Sequence, residues 1–396
     1  MSKLNTLTKH LPLPLGNIEF EDPTLKLEKL FSTSSPYESF KNKKKYIRDL
    51  ISVLESNQEY LAKFQEDETG KPASEGKNEI RSTVDFLTNL KLHLIQDAPR
   101  DLLVLAHFTD PIMTSCIAIA YSVLTRSKAL IHPSTKAART MMKLYSLLPK
   151  NDQWEMVFCD QDSVDEFLIK DPRFFRIYVD AYEDIFNKIK DKSAGQEIVG
   201  QKYNDQVLVV DSKSDLEKII SAFMDQFFLF ATRYGVRLNK ILVEDLIYND
   251  TVELLKTRLY ERLSNVDQED VVESFSRKLP SYKVERIKEL ILEALAAGAE
   301  VEFGSVTEQV DSPMLLTNLN STMEIFSANY WEPVILLVPF KKGDFPSVVR
   351  SLDSETLYIG NQYSVSWMKE KYYEANTSTI IGINNSPEYI WEILMN

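Results

Sequence analysis

The chain has 396 residues, 44% hydrophobic and 27% charged, with a formal net charge of −13. That length is enough for two domains with a sizeable core. So acidic a balance argues against a nucleic-acid or anionic-membrane partner, because either needs a concentrated basic face.

Residues 1–36 contain Pro12, Pro14, Pro23 and Pro36 without a sustained period, so an irregular arm is expected there. The N-terminus holds no apolar core of signal-peptide length, and apolar runs such as Val334–Phe340 fall far short of a membrane span. From Glu38 to about Phe64, the residues Phe40, Ile47, Leu50, Ile51, Leu54 and Leu61 trace one helical face. The basic run Lys41-Asn42-Lys43-Lys44-Lys45 reads as the solvated side of that helix. Gly70 suits its C-cap and Pro72 cannot continue it; a second helix is expected from about Ala73 to His93.

Between Asp101 and Lys240 the pattern alternates. Leu102–Ala106, Ala129–Ile131, Glu155–Cys159, Phe175–Val179 and Gln206–Val210 read as strands. Helical stretches separate them near Pro111–Leu124, Thr135–Leu148, Ser163–Lys170, Ala181–Lys192 and Asp215–Phe230. Such alternation predicts a mostly parallel sheet covered on both faces. The second half continues with helices at Val252–Ser264 and along Val284, Ile287, Ile291 and Leu295, and with strands at Glu300–Phe303, Val334–Val338 and Thr379–Ile383. A domain boundary is expected around Gly200–Asp205.

Cys116 and Cys159 are the chain's two cysteines, each within an apolar segment. They read as buried structural thiols, which points to a reducing, cytoplasmic setting. His107 and His132 lack a third ligand at metal-site spacing, so no metal is expected. Asp110, just before Pro111, reads as a helix N-cap. No P-loop, zinc-protease, dithiol or nucleophile-elbow pattern occurs.

Four stretches carry a family resemblance: ETGKPASEGKNEI at 68–80, LIHPSTKAARTMMKLYSLLP at 130–149, SRKLPSYKVERIKELILEALAAGAEVEFG at 276–304 and SPMLLTNLNSTMEIFSANYWEPVILLVPF at 312–340. With the strand Lys240-Ile241-Leu242-Val243 they keep the order and separations of the aldehyde dehydrogenase superfamily, which the chain resembles over roughly residues 37–385. The resemblance implies an α/β fold of two Rossmann-like three-layer α/β/α domains with mostly parallel sheets. Its divisions are an arm at 1–36, a cofactor-domain-like part at 37–202, a catalytic-domain-like part at 203–385 and a C-terminal remnant at 386–396. The family's C-terminal segment, which completes oligomer and substrate tunnel, is expected to be missing after Asn396.

The same resemblance marks where the family's chemistry is lost. Gly235 stands at the nucleophilic cysteine, and Thr109 at the asparagine that holds the oxyanion. Gln201 stands at or near the general-base glutamate, with Glu197 the alternative if the gap shifts. At the cofactor positions His132 replaces the ribose-contacting lysine, and Asp180 stands where a glycine turn would meet the diphosphate. Asn329 replaces the second ribose contact; Trp331 keeps the character of its motif. Asp180 at a helix start would cap it and repel a diphosphate.

The resemblance therefore implies a degenerate, truncated member without dehydrogenase activity or bound cofactor, retained for binding or for homo- or hetero-oligomeric assembly. The alternative is an NAD- or NADP-dependent aldehyde or acyl oxidoreductase with a non-thiol mechanism, using His107 or Glu197 as base. A third reading places an anionic ligand on Arg233 and Arg237, which otherwise are surface arginines of a turn.

Overall fold

The first long helix is built by its apolar stripe. Ile47, Leu50, Leu54 and Leu61 are all at or below 2% exposure, each worth about 1.5–3 kcal/mol of burial. The computed structural model describes residues 20–33, 40–95, 97, 99–200, 202–203, 205–228, 237–264, 281–306, 310, 312–320, 322–328, 330, 332–344, 356–359, 371–374 and 386–395. The chain forms two units: Met1–Lys202 with Asn385–Asn396, and Tyr203–Asn384.

Unit 1 begins with α1 (Pro23–Ser32), α2 (Phe40–Thr69) and α3 (Ala73–Asn89). The irregular arm expected from the prolines is thus corrected over α1. Asp22 accepts the Thr24 N–H at 2.9 Å and Pro23 sits in the first turn, so this proline starts a helix. Leu27 and Leu30 then bury their side chains. Gly70, at φ 84°, ends α2 with its N–H on the Glu66 carbonyl at 2.9 Å.

The sheet of unit 1 comprises β1 (Leu102–Ala106), β2 (Ala129–Pro133), β3 (Trp154–Met156), β4 (Arg176–Val179) and β5 (Glu197–Val199), in the order β3-β2-β1-β4-β5. Every neighbour pair is parallel, with Leu102 opposite Ala129 and Arg176, and Arg176 opposite Glu197. Helix α4 (Pro111–Thr125) connects β1 to β2 and is buried at every position, as expected of a helix apolar all round. Helices α5 (Ala138–Leu147) and α6 (Glu183–Lys192) follow β2 and β4. Leu103, Leu130, Ile177 and Val179 share a core with Leu27 and Leu30 of α1 and Phe186 and Ile189 of α6; α4 packs on β1 and β2. The predicted helix at Ser163–Lys170 is one short turn at Gln161–Ser163 followed by a wider π-helical turn at Val164–Leu168.

Unit 2 holds β6 (Asp205–Val210), α7 (Leu216–Phe227), β7 (Arg237–Glu244), α8 (Tyr248–Ser264), α9 (Ser281–Ala296), β8 (Glu300–Phe303), β9 (Met314–Thr317), β10 (Val334–Phe340), β11 (Thr356–Ile359) and β12 (Lys371–Glu374). Its sheet order is β8-β9-β10-β7-β6-β11-β12, parallel except for the edge pair β8/β9. Val207, Leu242, Leu336 and Val338 share a core with Ile287, Leu290 and Ile291 of α9, while α7 and α8 pack against β7. These are Rossmann-like parallel α/β units, as the alternating pattern predicts. The expected strand at Thr379–Ile383 lies outside the described residues.

The stretch expected as a C-terminal remnant contains α10 (Pro387–Met395), which belongs to unit 1. Its Trp391 ring centre lies 5.9 Å from that of Phe86 and 6.2 Å from that of Tyr121. No helix among the described residues is long and apolar enough to cross a membrane.

Candidate functional site

In a doubly wound parallel sheet, ligands sit beyond the carboxyl ends of the strands, where the strand order reverses. In unit 1 that place lies between β1 and β4. The side chains to weigh there are His107 to Asp110 after β1, His132 on β2 and Asp180 after β4.

Burial, with the Lys136 charge adding to it, pulls His107 down to about 3, so the imidazole is neutral. The Thr109 N–H donates to its Nδ1 at 3.4 Å, and the Thr109 hydroxyl lies 3.0 Å from the same atom. A nitrogen accepting an N–H carries the lone pair, so the hydroxyl donates too and Nε2 bears the proton. Thr109, at 1% exposure, has spent its single donor within its own turn.

Asp110 occupies the N-cap position of α4 but makes no side-chain capping bond. The expected cap is corrected: Asp110 Oδ1 accepts Lys71 Nζ at 2.8 Å, and Glu79 Oε1 caps α4 by accepting the Met113 N–H at 2.9 Å. Lys71 Nζ also donates to Glu79 Oε2 and to the Thr109 carbonyl, both at 2.8 Å. Burial pushes Asp110 up to about 6 despite Lys71, and the Glu79 charge contributes. One buried lysine is thus shared by two carboxylates.

His132 is 7% exposed, and its Nδ1 faces the Val157 carbonyl at 3.2 Å. Burial holds it down near 4. This ring is uncharged and turned toward the next strand. Cys159 Sγ lies 3.8 Å from the same Nδ1, a spacing that invites a thiolate–imidazolium pair. The electrostatics oppose it, because burial and the nearby Asp160 push the thiol up to about 12. Cys116, in the middle of α4 and 0% exposed, is pushed up by burial as well.

Asp180 is 3% exposed and its Oδ2 accepts the Tyr178 hydroxyl at 3.0 Å. The expectation that it caps the next helix is corrected, since Ala181–Tyr182 are extended and α6 starts only at Glu183.

Glu197, the alternative base, is corrected too. It opens β5 opposite Arg176, the first residue of β4, and accepts Arg176 Nη2 at 2.6 Å and Nε at 2.9 Å. It therefore sits at the amino ends of the strands, away from the carboxyl-end crevice. Gly200, at φ 131°, crosses the end of β4 so closely that a Cβ would lie 2.0 Å from the Val179 carbonyl oxygen.

Gly235, Gln201, Asn329, Trp331 and Arg233 lie outside the described residues, as does the Arg237 side chain; the Arg237 backbone opens β7. Among the described residues no group of three His, Cys, Asp or Glu side chains could hold a metal ion. Residue-by-residue reading missed Lys71, Glu79 and Arg176. The available signal for Arg176 was a cation opening the otherwise apolar strand RIYV.

The family model described as the aldehyde dehydrogenase family matches residues 102–354. The chain belongs to that family. Among curated proteins it is 21% identical over 378 residues to a 3-sulfolactaldehyde dehydrogenase of Priestia megaterium, covering 86% of this chain and 78% of the relative. Among solved structures it is similar to a glyceraldehyde-3-phosphate dehydrogenase of Methanocaldococcus jannaschii complexed with NADP, with TM-score 0.73 and 16% identity over 89% of this chain and 84% of the other. It is also similar to aldehyde dehydrogenase 21 of Physcomitrella patens, with TM-score 0.71 and 13% identity over 90% and 85%. This aldehyde dehydrogenase family member shares their fold while its described carboxyl-end residues form the neutral and acidic surroundings given above.

Proposed function

We propose that this protein uses an aldehyde dehydrogenase scaffold for binding or assembly and does not carry out thiol-dependent aldehyde oxidation. One observation carries the reading: the chain has two cysteines, and both are buried and held protonated. A covalent route needs a thiolate that a carbonyl can reach. Thr109, occupied by His107, and Asp180, at the start of the next connection, support the same reading for the oxyanion and for the nucleotide. A reducing cytoplasmic setting and assembly as a homo-oligomer, or with an active relative, belong to this proposal.

The test is an aldehyde panel with NAD⁺ and NADP⁺ at high protein concentration, paired with calorimetric titration of both nucleotides. The expected outcome is neither turnover nor tight nucleotide binding. Turnover that disappears in Cys159→Ser or Cys116→Ser would overturn the proposal. Light scattering addresses assembly, and a strictly monomeric protein counts against it.

A second reading is favoured by the names of the relatives: an NAD(P)-dependent aldehyde oxidoreductase acting without a thiol. Turnover that persists in the doubly substituted protein, together with tight nucleotide binding, would select it.

A further inference from the structure

The amino end of α2 carries a basic stripe. Lys41, Lys44, Lys45 and Arg48 are exposed and share the helix face opposite the buried Ile47, Leu50 and Leu54. Lys43, from the run expected on the solvated side, turns inward instead and donates to Asp97 at 2.5 Å and to the Leu124 carbonyl at 2.8 Å.

Most of the stripe's charge is left over. Lys45 is paired with Asp49 at 2.5 Å, whereas Lys41, Lys44 and Arg48 are in ion-pair contact with no described carboxylate. Glu55 further along α2 and Asp85 on the neighbouring α3 are matched in number by Arg81 on α3 and Lys91 just after it. Glu38, the nearest acid before α2 in sequence, offsets one charge at most. A local positive excess therefore stands on a chain whose net charge is −13.

The placement also works against the helix. Cations near a helix amino terminus oppose its dipole, and the first turn of α2 holds no acid to relieve them. A further observation is independent of charge: Phe40, which opens α2, is 51% exposed. An apolar ring thus stands at the end of the stripe.

We propose that this stripe docks a short acidic polypeptide segment bearing an apolar residue, with carboxylates on Lys41, Lys44 and Arg48 and the apolar side chain on Phe40. From Lys41 to Arg48 the stripe runs about 10 Å along the helix. An anionic membrane or a nucleic acid spreads its charge over a wider surface and would also face the rest of an acidic molecule. A narrow segment meets the stripe alone, where opposite charges set its register. The docking does not depend on whether the scaffold oxidises aldehydes.

The probes are fluorescein-labelled octaglutamate, the same peptide with two glutamates replaced by leucine, and a single-stranded DNA of equal length. Each is titrated into the full chain at low salt by fluorescence anisotropy, with co-sedimentation on phosphatidylserine vesicles alongside. The leucine-bearing peptide should bind saturably and more tightly than octaglutamate. Arg48→Glu should weaken it about tenfold or more. Lys190→Glu, at an exposed lysine of α6, should weaken it less than about threefold. Phe40→Ala should lower the leucine-bearing peptide to the affinity of octaglutamate. The proposal is overturned if the leucine-bearing peptide does not bind, if the two charge reversals weaken it equally, or if Phe40→Ala leaves it unchanged. Tighter binding of the DNA or the vesicles to the unmodified chain overturns it too. All three substituted side chains are exposed, so the fold is expected to survive each change.

Discussion

Lys71 Nζ and Glu79 Oε2 lie 2.8 Å apart with side-chain exposures of 0% and 1%. The contact fastens the end of α2 to α3, and through the other Glu79 oxygen to the first turn of α4. A buried ion pair is modest evidence of net stability, but removing one partner strands a charge.

Lys71→Met should therefore cost about 3–5 kcal/mol of unfolding free energy, measured by urea titration at neutral pH. Adding Glu79→Gln should recover part of that loss, because one stranded carboxylate disappears. No loss in the single variant would show that water reaches the cluster.

His132 predicts a pH dependence. Its folded pKa, near 4, lies below the ordinary 6.5 because burial disfavours the imidazolium. Below 6.5 the unfolded chain gains the proton first, so this group's contribution is complete above 6.5 and drains as pH falls toward 4. The full effect is on the order of 3 kcal/mol. His132→Asn should flatten that part of the stability–pH curve. Asp110 acts in the opposite sense: raised to about 6, it favours the fold below its unfolded value and loses that contribution as pH rises through about 6.

Neither thiol should react in the native state. At pH 8 a disulfide reagent is expected to label no cysteine within minutes, and two after unfolding in urea, because thiolate is scarce and both sulfurs are buried. Rapid labelling of one equivalent in the folded protein would contradict the carrying observation of the functional proposal.

Two glycines separate strain from collision. A methyl added at Gly195, at φ 98°, would have nothing within 4 Å, whereas at Gly200 it would meet the Val179 carbonyl oxygen at 2.0 Å. Gly195→Ala should cost about 1 kcal/mol, and Gly200→Ala about 2 kcal/mol or more, since collision adds to conformation. Equal midpoints in thermal unfolding would count against the close crossing at β4.

Much of the architecture was readable because it rests on local periodicity. The stripe from Ile47 to Leu61 and the short apolar runs at Leu102, Ala129 and Val207 each state which face is buried, whatever lies opposite. Pro23 was misread because a proline count does not separate a breaker from a first-turn residue; Asp22 decides which it is. The helix Pro387–Met395 escaped notice because its docking partners, Phe86 and Tyr121, are hundreds of residues away in sequence.

The sequence by itself determined the chain's chemical inventory: two thiols, glycine at position 235, and an alternation of elements suited to parallel sheets. Those are matters of residue identity and short-range pattern. Only the tertiary structure decided what the inventory does. Strand register put Glu197 on Arg176, a turn put the Thr109 hydroxyl on His107, and burial kept His132 and both cysteines uncharged. Pairings across long loops and the loss of solvent that shifts a proton equilibrium are properties of the packed chain, and local sequence carries no record of either.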